Sequence, residues 1–171
     1  MLNIKKYIIL IFITLLLNSS VCSADTKSSS GGPKSDGRQD LSFLNVTNSN
    51  YKKGYDALKQ AEKYSKKGKT NKAIKRFNDA INFFTISNDE YPNEPNILNY
   101  LGYTLQKNRD FMMAEIYYEQ GLAIDSQHID INKNLGKLYF ETNRVKKAKG
   151  RLKILKSCMC ESYEELKNLI K

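Results

Sequence analysis

From Tyr51 onward, apolar residues recur at three- and four-residue spacing, the pattern of helices that bury one face. Ala73, Phe77 and Ala80 make one such stripe, and Leu98, Leu101 and Leu105 make another. No run alternates apolar and polar residues as a half-buried strand would. Pro92 and Pro95 are the only prolines in this part of the chain and mark one break. Pro95 suits the first turn of a helix, where the missing N–H costs little. An all-α domain over residues 51–171 is therefore expected.

The helical pattern also repeats. Leu101-Gly102 returns 34 residues later as Leu135-Gly136, and Ala114 returns as Ala148. Large residues keep the same phase: Leu105 with Tyr139, Phe111 with Val145, Tyr118 with Leu152. Two antiparallel helices approach closely only where side chains are small, and bulky neighbours fill the space around the contact. An upstream copy places Ala61, Tyr64, Gly68, Ala73, Phe77 and Ala80 at corresponding positions, with seven extra residues before the next copy. These are expected around "TISNDEYPNEP", as a longer helix end and loop. The predicted repeats span residues 54–87, 95–128 and 129–160, an α-solenoid of helix-turn-helix units. A closing helix is expected over 161–170, with Tyr163, Leu166 and Ile170 on one side.

The residues before the domain read differently. Lys5 and Lys6 precede the apolar run Tyr7 to Leu17, and small residues follow up to Ala24. This fits a signal peptide over residues 1–24, and the run falls short of the roughly 20 residues that a membrane span needs. A retained anchor and lipoprotein processing at Cys22 stay open, although Ser19, Ser20 and Val21 make a poor lipoprotein box. Residues 25–50 are rich in Ser, Gly, Asp and Asn and cannot bury enough surface to offset ordering, which predicts a flexible linker. An exported protein, periplasmic or secreted, is the expectation.

Charge changes the picture of the partners. The formal net charge is +10, and removing residues 1–24 with their two lysines leaves +10 − 2 = +8. It is arranged in blocks: ten basic against three acidic residues over 51–85, two against eight over 86–130, eleven against four over 131–171. The run "RVKKAKGRLKILK" is the densest and is expected on the second helix of the last repeat. Export argues against nucleic acid, and so do aromatics that keep core spacing instead of interleaving with the lysines. Peripheral contact with an anionic membrane or polymer through the basic flanks is the second reading of function.

Chemistry has few candidates. The single histidine, His128, falls at a repeat junction, where a helix cap or loop role is expected and not a place in a His-based triad or a His/Cys zinc cluster. No Gly-x-Ser-x-Gly elbow or Gly-rich phosphate loop occurs. No enzyme and no cofactor is expected. Cys158-Met159-Cys160 leaves three readings open: a structural turn closed by a disulfide, a redox or intermolecular pair, or a Cu(I) site of soft sulfur ligands.

Taken together, the Leu-Gly, Ala, Tyr and Phe positions at a period of 34 resemble the tetratricopeptide (TPR) family, over about Tyr51 to Lys171. The chain departs from that pattern at Leu98 for Trp, Gly121 for Ala, Ser126 for Pro, and Leu155 for a small residue. The tail also resembles that of small exported TPR proteins ending in paired cysteines and a short helix. The resemblance implies a concave groove formed by the first helix of each repeat. Its positions are Tyr55, Leu58 and Glu62, then Asn96, Asn99, Tyr103, Gln106 and Lys107, then Asp130, Lys133, Lys137, Phe140 and Glu141. TPR domains that clamp a C-terminal carboxylate carry Lys, Asn and Arg at positions held here by Leu58, Glu62, Tyr100, Asp130 and Asn134, so that clamp is not expected. What is expected is a non-catalytic scaffold for a protein or peptide partner, with a homodimer left open because three repeats are near the minimum for stability.

Overall fold

The computed structural model describes residues 49–171. The expected signal peptide and nearly all of the linker lie outside the described residues. Seven α-helices follow: α1 (Ser49–Lys66), α2 (Thr70–Glu90), α3 (Pro95–Lys107), α4 (Phe111–Ile124), α5 (Ile129–Glu141), α6 (Val145–Leu155) and α7 (Glu161–Ile170), with a 3-10 turn Lys156–Cys158 before α7. They pair as α1/α2, α3/α4 and α5/α6, successive pairs stack through α2/α3 and α4/α5, and α7 packs on α5 and α6. This is the all-α solenoid with a closing helix that the periodicity predicts. None of the described helices is long and apolar enough to cross a membrane.

Helix starts follow local chemistry. Glu94 caps α3 through its carboxylate and Pro95 takes the first turn. Asp110 accepts from the Met113 N–H at 3.1 Å to cap α4. Each satisfies a donor that the first helical turn leaves without an intrahelical partner. The turns inside the three pairs share one backbone device: Gly68, Arg109 and Asn143 all have positive φ, at 67°, 71° and 63°.

The core divides between the repeats. One cluster joins Tyr51, Leu58, Ala61, Ala73, Phe77, Phe84, Ile97 and Leu101; the other joins Leu105, Ala114, Tyr118, Ile131, Leu135, Leu138, Tyr139 and Ala148. The in-phase small residues are contact points. A Cβ on Gly102 would stand 2.6 Å from the Tyr118 ring, and one on Gly136 would stand 2.5 Å from Leu166 of α7. At Gly121, where the TPR pattern asks for Ala, a Cβ would collide with Ile131 Cδ1.

The first pair is longer than the others because the seven extra residues continue α2 to Glu90. α1 extends in step, and its first turns bring Tyr51 edge-on to Phe84, with ring centroids 5.8 Å apart. Tyr100 of α3 stacks on Phe84 at 5.5 Å and meets Tyr51 and Tyr55 edge-on at 5.6 and 5.7 Å. Such aromatic contacts contribute about 0.5–1.5 kcal/mol each beyond burial and tie the additional turns to α3.

Candidate binding groove

The first helices α1, α3 and α5 line a pocket of about 170 Å³ formed by Tyr55, Leu58, Lys59, Glu62, Asn99, Tyr100, Tyr103, Lys133 and Asn134. The repeat explains this composition. Residues at equivalent positions of successive first helices stand in rows across the groove: Leu58, Asn99 and Lys133; Lys59, Tyr100 and Asn134; Glu62, Tyr103 and Lys137. Side chains in one row are neighbours because each repeat is stacked on the last.

Hydrogen bonds knit the rows. Asn134 donates its amide to the Asn99 carbonyl oxygen at 3.0 Å. The Asn99 NH₂ and the Asn134 carbonyl oxygen take no part in this bond and stay available as donor and acceptor. Tyr103 donates its hydroxyl to Glu62 at 2.7 Å, across 41 residues of sequence. Desolvation and the Glu62 carboxylate hold the Tyr103 hydroxyl well above the ordinary tyrosine range. Burial and the adjacent Tyr55 push Tyr100 up to about 12. Tyr100 and Tyr103 therefore act as neutral hydroxyls at physiological pH.

The far end of the groove is ionic. Lys137 bonds Glu165 of α7 at 2.7 Å, and Lys133 pairs with Asp130 at 3.3 Å and with Glu165 at 3.9 Å. The Lys137 ammonium holds the Glu165 carboxyl below its usual range. The closing helix thus takes the place of a further first helix and contributes an acid to the groove wall.

The residues expected in the groove separate into groups. Tyr55, Leu58, Glu62, Asn99, Tyr103 and Lys133 come together in the pocket, and Lys137 continues it toward α7. Gln106 is buried and uses its amide within the fold, donating to Glu141 at 2.9 Å and accepting from the Tyr118 hydroxyl at 3.0 Å. Asn96 sits at the repeat junction beside Glu94 and His128. Lys107 lies over the Tyr103 ring at 5.2 Å, and Phe140 packs against the second core cluster. Lys59, Tyr100 and Asn134 also line the pocket, at positions that the family pattern does not assign to the groove. The row one residue after Leu58, Asn99 and Lys133 is the signal that would have found all three.

His128 caps α5. Its Nδ1 accepts from the Ile131 N–H at 3.3 Å, and its Nε2 lies 3.3 Å from Asn96 Oδ1. A ring that accepts at Nδ1 carries its proton on Nε2, so it donates to Asn96 as a neutral imidazole. Burial lowers its pKa against the raising influence of Asp130, Asp125 and Glu94. Cys158 and Cys160 are joined as a disulfide around Met159. Among the described residues, no group of three or more His, Cys, Asp or Glu could hold a metal ion.

Comparison with solved structures agrees with the all-α repeat fold. The first TPR of Spaghetti, bound to an HSP90 peptide, superposes with a TM-score of 0.52 at 18% identity, covering 70% of this chain and 94% of that one. The fold is that of a TPR domain. A TPR2B domain of yeast Sti1 in complex with an Hsp70 peptide reaches 0.49 at 14% identity, covering 69% of this chain and 93% of that one. The Arabidopsis OM64 TPR domain reaches 0.45 at 14%, covering 71% and 96%. No family model and no curated protein matches the chain. At 18% identity the likeness to the Spaghetti domain is one of fold alone.

Proposed function

We propose that this TPR domain is a non-catalytic protein-interaction scaffold that holds a segment of another protein across α1, α3 and α5. The observation that carries the reading is the Asn99–Asn134 pair. The Asn99 NH₂ and the Asn134 carbonyl oxygen take no part in that bond and share the pocket with the rings of Tyr55, Tyr100 and Tyr103, which suits a peptide unit flanked by apolar side chains. The peptide-bound TPR domain of Spaghetti supports use of this fold for peptide capture. The leader-like residues 1–24 support a partner in the cell envelope.

A photo-crosslinking phenylalanine analogue at Tyr55 in the full chain tests this directly, with the adducts identified by mass spectrometry. A protein segment crosslinked there should lose about tenfold in affinity with Asn134→Ala, about the cost of one hydrogen bond in a desolvated site. Circular dichroism checks that the variant keeps its helices. Capture that is indifferent to Asn134→Ala, in a variant that remains folded, would remove the groove assignment.

A further inference from the structure

α6 divides its cations between two tasks. On the side facing the fold, Arg144 at its cap pairs with Glu115, Lys147 reaches the same carboxylate at 3.6 Å, and Arg151 donates to Asn132 at 3.3 Å. On the outer side, Lys146, Lys149 and Lys153 share one face by their spacing of three and four, and Lys156 prolongs it into the 3-10 turn. All four are exposed, and none makes an ion pair among the described residues.

Two further features lie in or beside this stripe. Gly150 falls among the lysines, where a Cβ would meet nothing within 4 Å. Neither packing nor a positive φ requires glycine there, yet a helix-interior glycine costs about 1 kcal/mol relative to alanine. Its effect is to leave the helix backbone bare among the lysines. Three residues beyond Lys156, Met159 is 92% exposed. It has a left-handed φ of 45° and sits between the two bonded cysteines. An apolar side chain is thereby exposed on a short disulfide ring, three residues along the chain from the last of the cations.

We infer that this face of α6, with Met159 at its end, docks onto the surface of a bilayer containing anionic phospholipid. The lysines would meet the phosphates, the bare turn at Gly150 would let the helix lie close, and Met159 would enter the acyl boundary. A soluble polyanion would use the lysines and leave the methionine without a role. This surface lies on a second helix and uses no groove residue, so it stands or falls separately from the peptide-binding reading.

The chain contains no tryptophan, so Met159→Trp introduces one indole at the tip of the full-length protein. Vesicles of phosphatidylglycerol and phosphatidylcholine with brominated acyl chains should quench it, and brominated phosphatidylcholine alone should not. Ile74→Trp, on the exposed face of α2, should escape quenching. Lys149→Gln with Lys153→Gln should weaken the quenching interaction about 25-fold, at about fivefold for each lysine near an anionic surface. Equal quenching at both tryptophan positions overturns the inference, as does no quenching in Met159→Trp or quenching that survives the lysine changes. Lysine-dependent binding to soluble polyphosphate without vesicle quenching also overturns it, and assigns the face to a polyanion.

Discussion

Arg109, in the turn between α3 and α4, holds the same left-handed backbone as Gly68, its counterpart 41 residues earlier: φ is 71° at one and 67° at the other. The third counterpart is Asn143, at 63°. The helix-turn-helix unit demands this conformation, because a residue just past a helix end must turn the chain while helical carbonyls are still being satisfied. Glycine adopts it freely, asparagine tolerates it, and arginine does so at a cost of about 1–2 kcal/mol.

Arg109→Gly should therefore raise stability by about 1 kcal/mol, less whatever the Arg109 guanidinium contributes over the Phe111 ring at 5.8 Å. Urea unfolding with an unchanged m-value measures it. A decrease in stability would show that the arginine contact outweighs the backbone strain.

Two glycines on the repeat helices should respond in opposite directions to alanine. At Gly102 the added methyl meets the Tyr118 ring, which is fully buried and tied through its hydroxyl to Gln106. Gly102→Ala should cost about 1–3 kcal/mol, as overpacking in a close-packed core does. At Gly150 the methyl meets nothing, so Gly150→Ala should add about 0.5–1 kcal/mol of helix stability. Thermal unfolding of the two variants side by side distinguishes these outcomes.

His128 makes stability depend on pH in a defined direction. Its folded-state pKa lies below the unfolded value of 6.5, so below that pH the unfolded chain binds more protons than the folded one. Stability should then fall as pH drops below about 6.5, until the folded-state pKa is also passed. His128→Asn keeps an oxygen able to cap Ile131 and cannot titrate, so it should flatten this part of the profile. A profile between pH 7 and 5 that is unchanged by the substitution would assign the dependence to another group.

The fold was legible because its determinants are local and periodic. Gly102 with Ala114 and Gly136 with Ala148 mark helix approaches, and the seven extra residues showed that the first pair must differ. Sequence alone did not reveal Gly54 as a close approach. Its partner is Phe84, in the part of α2 that has no equivalent in the other repeats. The groove was legible by position but less so by use. Gln106 lies at a groove position, yet Tyr118 and Glu141 hold its amide. Lys137 finds its acid in Glu165, on a helix outside the 34-residue rhythm, and Lys133, paired with Asp130 on its own helix, reaches the same carboxylate. Periodicity reports which side a residue faces, whereas the partner it finds depends on how separate elements meet.

The closing helix also gives the groove two unlike ends. Aromatic side chains from Tyr55, Tyr100 and Tyr103 gather toward α1, while Lys133, Lys137 and Glu165 gather toward α7. A segment laid along this surface meets unequal chemistry at its two termini, so reversing it would exchange apolar contacts for ionic ones. On the proposed function, the groove would discriminate chain direction as well as composition, and partners with the same residues in reverse order would be bound unequally.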